Sequence, residues 1–224
     1  MTWSSIQPFR KAPGALCAAV LCVLAMAIHP AAAEPRVALV IGNSAYKGAL
    51  PALPNPANDA KLMAQTLKSV GFEVVEAEDA SQADMKRAIA EFSDKLSAAG
   101  AQGTGLFFYA GHGVQVAGEN YLIPVDAVIN KEADVDLVAF SATTVMKQMD
   151  FAGSAVNIII LDACRNNPLS NGSRGMSRGL AEITSTPRGS FIAYSTAPGS
   201  TATDGDGKNS PYTKALSETI QEPG

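Results

Sequence analysis

The chain has 224 residues, of which 47% are hydrophobic and 17% are charged, and its formal net charge is −4. This composition excludes a disordered or fibrous chain and is typical of one globular domain with a hydrophobic core. The acidic balance also argues against nucleic acid as a partner, because nucleic acids are bound through basic surfaces.

The first 33 residues are predicted to be a secretory signal peptide. Arg10 and Lys11 form a basic segment, residues 14–28 form an apolar run, and three alanines stand just before Glu34. The apolar run has 15 residues, fewer than the roughly 20 of a membrane-spanning helix, so a retained membrane anchor is the second interpretation. We therefore expect a periplasmic or secreted protein without stable membrane insertion after signal removal, in which 15 basic and 21 acidic residues remain.

Five apolar runs after the signal peptide predict β-strands. Most of them are continuous rather than alternating, which is typical of strands buried on both faces of a parallel sheet. The runs cover residues 36–42, 72–77, 105–111, 157–163 and 190–196. A short hairpin is predicted over 114–124, and a long connection rich in glycine and serine spans 167–189.

Four helical patterns separate or follow these strands. The first has Asn58 or Asp59 as its N-cap and ends at Gly71. The others are predicted from Ser81 to Gly100, over about 141–150 and over 210–220. Strands that alternate with helices predict an α/β fold, with a mostly parallel central sheet and helices on both faces.

Functional groups of a parallel sheet belong in the loops at the carboxyl ends of its strands. This rule selects Asn43, His112, Cys164 and the acidic segment 197–207. Without residues 1–33, His112 is the only histidine and Cys164 is the only cysteine. Exported proteins normally use cysteines in disulfide pairs, so a single thiol is either a small buried hydrophobe or a reactive group. The first interpretation is preferred until a partner for the thiol is found.

His112 and Cys164 follow two different strands, and together they predict a catalytic dyad. A thiol attacks a carbonyl group as the thiolate, and a neighbouring imidazole lowers the thiol pKa and carries the proton to the leaving group. Glycines beside the histidine let a peptide approach, and the backbone N–H groups of Gly113 and Cys164 are candidates for an oxyanion hole. One histidine and one cysteine are too few for a structural zinc site, so no metal is predicted.

Seven motifs, in this order, resemble the caspase-like cysteine peptidases and among them the bacterial metacaspase-like proteins. Over about residues 36–220 they read "RVALVIGNSAY", "NPANDA", "YAGHG", "NYLIPVDA", "DACRNNP", "AYSTAPG" and "SPYTKAL". The resemblance implies a caspase-like three-layer sandwich for residues 34–224, a His112/Cys164 dyad and hydrolysis of peptide bonds.

The resemblance to the metacaspases also implies an acidic primary pocket that takes Arg or Lys, lined by Asp59 and Asp162. A guanidinium group binds a carboxylate through paired hydrogen bonds, and an ammonium group adds a point charge, so the chemistry agrees. For Asp59 a helix N-cap is the alternative interpretation. For Asp162 the alternative is a strand-end carboxylate that binds nearby amides.

The resemblance leaves three features open. Many metacaspases are activated by calcium, but no such site maps onto the charged residues Glu132, Asp134 and Asp136, and no cofactor is predicted. The long connection is a candidate for self-processing, with a solvated loop as the equal alternative, because it contains Arg174, Arg178 and Arg188. Caspase-like domains usually add a helix and a strand after the segment matching 210–220, so we expect either an exposed sheet edge or a truncated sequence.

Two functions compete. The leading hypothesis is an exported cysteine endopeptidase that cleaves peptide or protein substrates after Arg or Lys. The second is a catalytically silent caspase-fold module that binds a peptide or a protein partner. A nucleotide-binding α/β domain fits the architecture, but the sequence has neither a Walker lysine loop nor a G-x-G-x-x-G motif after a strand.

Overall fold

The computed structural model describes Met1 and residues 34–48, 50–163, 176–177, 179–197 and 206–222. Most of the predicted signal peptide, Cys164, Arg174 and Arg178 lie outside the described residues. The main elements are β1 (Arg36–Gly42), α1 (Pro56–Ser69), β2 (Glu73–Glu78), α2 (Gln82–Ala99), β3 (Thr104–Ala110), β4 (Gly113–Val116), β5 (Glu119–Leu122), α3 (Val135–Val138), β6 (Phe140–Ser141), α4 (Ala142–Phe151), β7 (Val156–Asp162), β8 (Met176–Ser177), β9 (Ser190–Tyr194) and α5 (Pro211–Ile220).

The central sheet has five strands in the order β2-β1-β3-β7-β9, and every pairing is parallel. All five predicted strands are present: β1 has the predicted bounds, and the ends of the others differ from the prediction by at most two residues. Within the described part of the chain β9 forms one edge of this sheet, where Phe191 is 62% exposed.

Helices cover both faces of the central sheet, as the continuous apolar strands predict. Alternate residues of β1 point to opposite faces. Leu39 and Ile41 pack in the cluster that contains Met85 and Phe92 of α2 and residues of α4. Val40 packs on the other face with residues of α1, and α5 completes that layer. The predicted three-layer α/β sandwich is therefore confirmed.

Three serine N-caps set the starts of three helices close to their predicted positions. Ser81 forms a capping box with Asp84 at the start of α2, and Ser141 and Ser210 accept N–H hydrogen bonds at the starts of α4 and α5. The predicted N-cap of α1 is wrong. The helix begins at Pro56, because proline at the first helical position has its φ already set and lacks an N–H that would need a partner.

A second, antiparallel sheet has the order β6-β5-β4-β8. The predicted hairpin is confirmed as β4 and β5, and its turn uses positive φ at Ala117 (50°) and Gly118 (85°). The two-residue strands β6 and β8 were not predicted, because two residues carry no periodic pattern. No helix in the described ranges is long and apolar enough to cross a membrane.

Candidate active site

The predicted dyad residues follow two neighbouring strands at the same level. In the parallel pairing of β3 with β7, Ala110 lies opposite Asp162. His112 comes two residues after Ala110, and Cys164 comes two residues after Asp162. The Gly111 N–H donates to the Asp162 carbonyl oxygen at 3.4 Å, so the two strand ends stay together one residue further on. Cys164 itself lies outside the described residues, and the dyad stays a prediction.

His112 is held at its main chain and at its ring. It is 4% exposed. Its N–H donates to the Tyr46 hydroxyl at 2.7 Å, and its carbonyl accepts from the Tyr109 hydroxyl at 2.9 Å. The ring atom Nε2 lies 2.9 Å from the Pro51 carbonyl oxygen. A carbonyl oxygen only accepts hydrogen bonds, so Nε2 carries the hydrogen and Nδ1 is the basic nitrogen of the ring.

The contact of the Pro51 carbonyl with the His112 ring was not predicted from the sequence. Pro51 contributes a main-chain carbonyl, which every residue type possesses, so no side chain signals it. Only the path of the loop after β1 brings this carbonyl to His112.

The glycines on either side of His112 are explained by close contacts. A Cβ atom on Gly111 would lie 2.6 Å from the Tyr46 hydroxyl oxygen and 2.7 Å from that of Tyr109, and the residue has φ of 153°. A Cβ atom on Gly113 would lie 3.2 Å from the Cβ atom of Ala163, the residue just before Cys164. Gly113 thus lies next to Ala163, the residue before the cysteine. Its role in an oxyanion hole stays a prediction.

The two predicted pocket residues are buried close together. Asp59 is 0% and Asp162 is 1% exposed. One oxygen of Asp59 accepts the Ser210 N–H at 2.9 Å and the Asn209 side-chain amide at 2.9 Å. Oδ2 of Asp162 accepts from the Ser210 hydroxyl and, at 2.9 Å, from the Thr213 hydroxyl. The start of α5 therefore joins the end of β7 to the first turn of α1.

The second carboxylate oxygen of Asp162 differs from the first. Oδ1 is buried and has no hydrogen-bond partner in the part of the chain that the structure describes. Burial, followed by the negative charge of Asp162, raises the pKa of the Tyr212 hydroxyl. A buried carboxylate with an unsatisfied oxygen favours the approach of a cationic group.

Asn43, which the strand-end rule also selected, is a structural cross-link. Its Oδ1 accepts the Ala80 N–H at 2.9 Å, and its Nδ2 donates to the Ile123 carbonyl at 3.0 Å. The side chain is fully buried. These bonds tie the end of β1 to the start of α2 and to the chain after β5.

The charged stretch from Glu132 to Asp136 is used internally. Oδ2 of Asp134 accepts the N–H groups of Asn130 and Lys131 at 3.0 Å each, and Asp136 accepts the Tyr121 hydroxyl. Among the described residues no group of three or more His, Cys, Asp or Glu side chains is arranged to hold a metal ion.

A parallel sheet with a histidine after one strand end and a sequence that leads to a cysteine after the next is the arrangement that the motifs predict. The family model described as Peptidase_C14, caspase domain, matches residues 35–224. The chain belongs to this family, and the resemblance predicted from its motifs is confirmed at the level of a caspase-like cysteine peptidase domain.

Two curated relatives agree with this assignment. The human mucosa-associated lymphoid tissue lymphoma translocation protein 1 is 32% identical over 134 residues, which is 59% of this chain and 15% of that protein. The homolog from Mus musculus matches with the same identity and coverage. The chain therefore corresponds to about 15% of the length of these relatives.

Proposed function

We propose that this protein is an exported, metacaspase-like cysteine endopeptidase that hydrolyses peptide bonds after Arg or Lys. In this proposal Cys164 is the nucleophile, His112 is the general acid and base, and the N–H groups of Gly113 and Cys164 bind the oxyanion. The observation that carries it is the burial of two carboxylates, Asp59 of α1 and Asp162 at the end of β7, which both accept hydrogen bonds from Ser210.

The orientation of His112 supports its role as the base. Because the Pro51 carbonyl accepts from Nε2–H at 2.9 Å, Nδ1 takes the proton of the Cys164 thiol. The thiolate attacks the substrate carbonyl carbon, and the C–N bond breaks as the imidazolium returns the proton to the leaving amine. A water molecule, deprotonated by the same nitrogen, then hydrolyses the thioester and releases the thiol.

The arrangement of Asp59 and Asp162 supports the preference for a basic substrate residue. Asp162 uses one oxygen for Ser210 and Thr213, and its other oxygen is buried with no hydrogen-bond partner among the described residues. An arginine side chain would donate paired hydrogen bonds and supply the missing positive charge. An aspartate in the same place would add a third buried carboxylate, which is unfavourable.

The test is hydrolysis of matched reporter peptides that end in Arg, Lys or Asp. We expect the full-length chain, after signal removal, to cleave the Arg and Lys peptides and not the Asp peptide. Cys164→Ala and His112→Ala should each abolish turnover. Cleavage that survives Cys164→Ala would refute the proposed nucleophile, and preference for the Asp peptide would refute the acidic pocket.

Two substitutions with the same change of chemistry test the pocket itself. Asp162→Asn removes one buried negative charge, and we expect kcat/KM for the Arg peptide to fall by about 10-fold or more. Asp94→Asn removes an exposed carboxylate from α2, on the other face of the sheet from α1, and should leave kcat/KM unchanged. Equal losses in the two variants would contradict a specific role for Asp162.

Export rests on the composition of residues 1–33 alone. N-terminal sequencing of the protein recovered from the periplasm or the culture medium should begin at Glu34. A chain that keeps residues 1–33 would refute this part of the proposal without affecting the proposed chemistry.

A further inference from the structure

Two tyrosine hydroxyl groups lie beneath the histidine loop. Tyr109, at the end of β3, is 0% exposed, and its hydroxyl oxygen lies 2.9 Å from the His112 carbonyl oxygen. Tyr46 is 8% exposed, and its hydroxyl oxygen accepts the His112 N–H at 2.7 Å. The two hydroxyl oxygens are 3.2 Å apart. Both main-chain polar groups of His112 are thus bound by one hydrogen-bonded pair of phenols.

Tyr46 also contacts the imidazole ring. The centroids of the Tyr46 and His112 rings are 4.5 Å apart, with an angle of 62° between their planes. On another side of the imidazole, Nε2 binds the Pro51 carbonyl. The ring is therefore restrained by two residues of the same loop, while its main chain is restrained by the hydroxyl pair.

Tyr46 and Pro51 both lie in the loop between β1 and α1, and a hydrogen bond joins the two ends of this loop. The Ser44 carbonyl accepts the Leu53 N–H at 2.9 Å, so the chain returns on itself between these residues. Oδ1 of Asp79 accepts the N–H groups of Ser44 and Ala45 at 2.7 Å each. Asp79 adopts a positive φ of 46°, which few residue types other than glycine, asparagine and aspartate tolerate. A single carboxylate outside the site thus holds the base of the loop.

We propose that Tyr46 is a positioning residue for His112, and that Asp79 acts through the same loop. This inference rests on the proposed function of His112 as the base. The hydroxyl of Tyr46 fixes the main chain of His112 and thereby holds the imidazole where Nε2 reaches the Pro51 carbonyl, so that Nδ1 is the nitrogen that takes the thiol proton. Loss of this restraint lets the imidazole rotate and exchange tautomers. Proton transfer then slows, while the pocket of Asp59 and Asp162 is untouched.

The principal variant is Tyr46→Phe in the full chain, with Tyr121→Phe as the matched control. The control loses the same atom, but from a hydroxyl that binds Asp136 at the surface. The first readout is the ¹⁵N spectrum of the His112 imidazole, assigned by its loss in His112→Ala. The second is steady-state cleavage of the Arg reporter peptide.

In the wild type and in Tyr121→Phe we expect the Nε2–H tautomer to dominate. In Tyr46→Phe the Nδ1–H tautomer should gain population, and kcat should fall by about 10- to 100-fold with KM changed by less than about twofold. A wild-type imidazole spectrum in folded Tyr46→Phe would overturn the inference. An increase in KM alone would overturn it as well, because that result would place the residue in substrate binding.

A second pair of variants keeps the test decisive if Tyr46→Phe does not fold. Asp79 is exposed, so its replacement leaves the core intact. Asp79→Gly removes the acceptor of Ser44 and Ala45, tolerates the positive φ and should shift the tautomer in the same direction, whereas Asp79→Asn keeps an oxygen acceptor and should retain the wild-type spectrum. If the wild type cleaves no reporter peptide, the proposed function fails, and the imidazole spectra still decide the positioning role.

Discussion

Replacement of Ser210 by alanine removes one hydroxyl that serves two partners. Its oxygen accepts the Thr213 N–H at 3.0 Å, which caps α5, and its hydrogen is donated to the buried carboxylate of Asp162. Loss of an N-cap serine costs about 1 kcal/mol. Loss of a hydrogen bond to a buried charged group costs about 1.5–3 kcal/mol more. We therefore expect the free energy of unfolding to fall by about 3 kcal/mol.

Ser141→Ala is the matched control for this prediction. Ser141 also caps a helix, accepting the Thr144 N–H at 3.2 Å, and it also donates to a carboxylate, that of Glu119. Both residues are only half-buried, so water replaces the lost hydroxyl, and we expect a loss of about 1 kcal/mol.

The assay is denaturant unfolding of the two variants beside the wild type, followed by thermal unfolding. A loss of about 3 kcal/mol lowers Tm by roughly 6–12 °C in a domain of this size. Equal destabilisation of the two variants would refute the reasoning, because it would mean that the bond to the buried Asp162 carboxylate contributes nothing beyond the helix cap.

Two further predictions concern stability. Gly42→Ala should destabilise the protein by about 1–3 kcal/mol, because its Cβ atom would lie 2.3 Å from the Pro56 carbonyl oxygen. In the control Gly118→Ala the Cβ atom meets no other atom within 4 Å, so we expect only the strain of the positive φ, about 1 kcal/mol. Equal losses of unfolding free energy in urea would contradict this prediction. Hydrogen bonds from Ser81 hold the pKa of Asp84 below its ordinary value of 3.8. The stabilisation by the Asp84 carboxylate is therefore present above pH 3.8 and is lost as the pH falls through the lower pKa of the folded state. We expect the difference in unfolding free energy between wild type and Asp84→Asn to shrink below about pH 4. A difference that stays constant with pH would contradict the lowered pKa of Asp84.

The core of the fold could be predicted from local patterns. The continuous apolar strands implied burial on both faces, and the serines before α2, α4 and α5 marked helix starts to within a residue. The same patterns failed for α1, where Pro56 begins the helix two residues before Asn58 and three before Asp59, the two predicted caps. Apolar spacing alone does not locate a helix start when the first turn carries few apolar side chains.

The strand-end rule selected His112 and Asn43 equally, and the structure separates them. His112 has its ring held by a loop carbonyl, while Asn43 has every polar atom of its side chain bound to structural partners. Sequence reasoning ranked them by chemistry, since imidazole suits proton transfer. Their different surroundings come from loops whose course no local pattern predicts.

The sequence by itself determined the alternation of strands and helices. It thereby also determined that His112 and Cys164 follow the carboxyl ends of two strands of the same parallel sheet. This follows because hydrophobic periodicity and capping are local properties, and because parallel strands align their carboxyl ends. Only the tertiary structure decided that Ser210 joins Asp59, 151 residues away, to Asp162, 48 residues away. It also decided that the Pro51 carbonyl and the Tyr46 hydroxyl meet at His112. These contacts depend on how distant segments pack, and a hydrogen bond between two such segments produces no periodic pattern in the sequence of either segment.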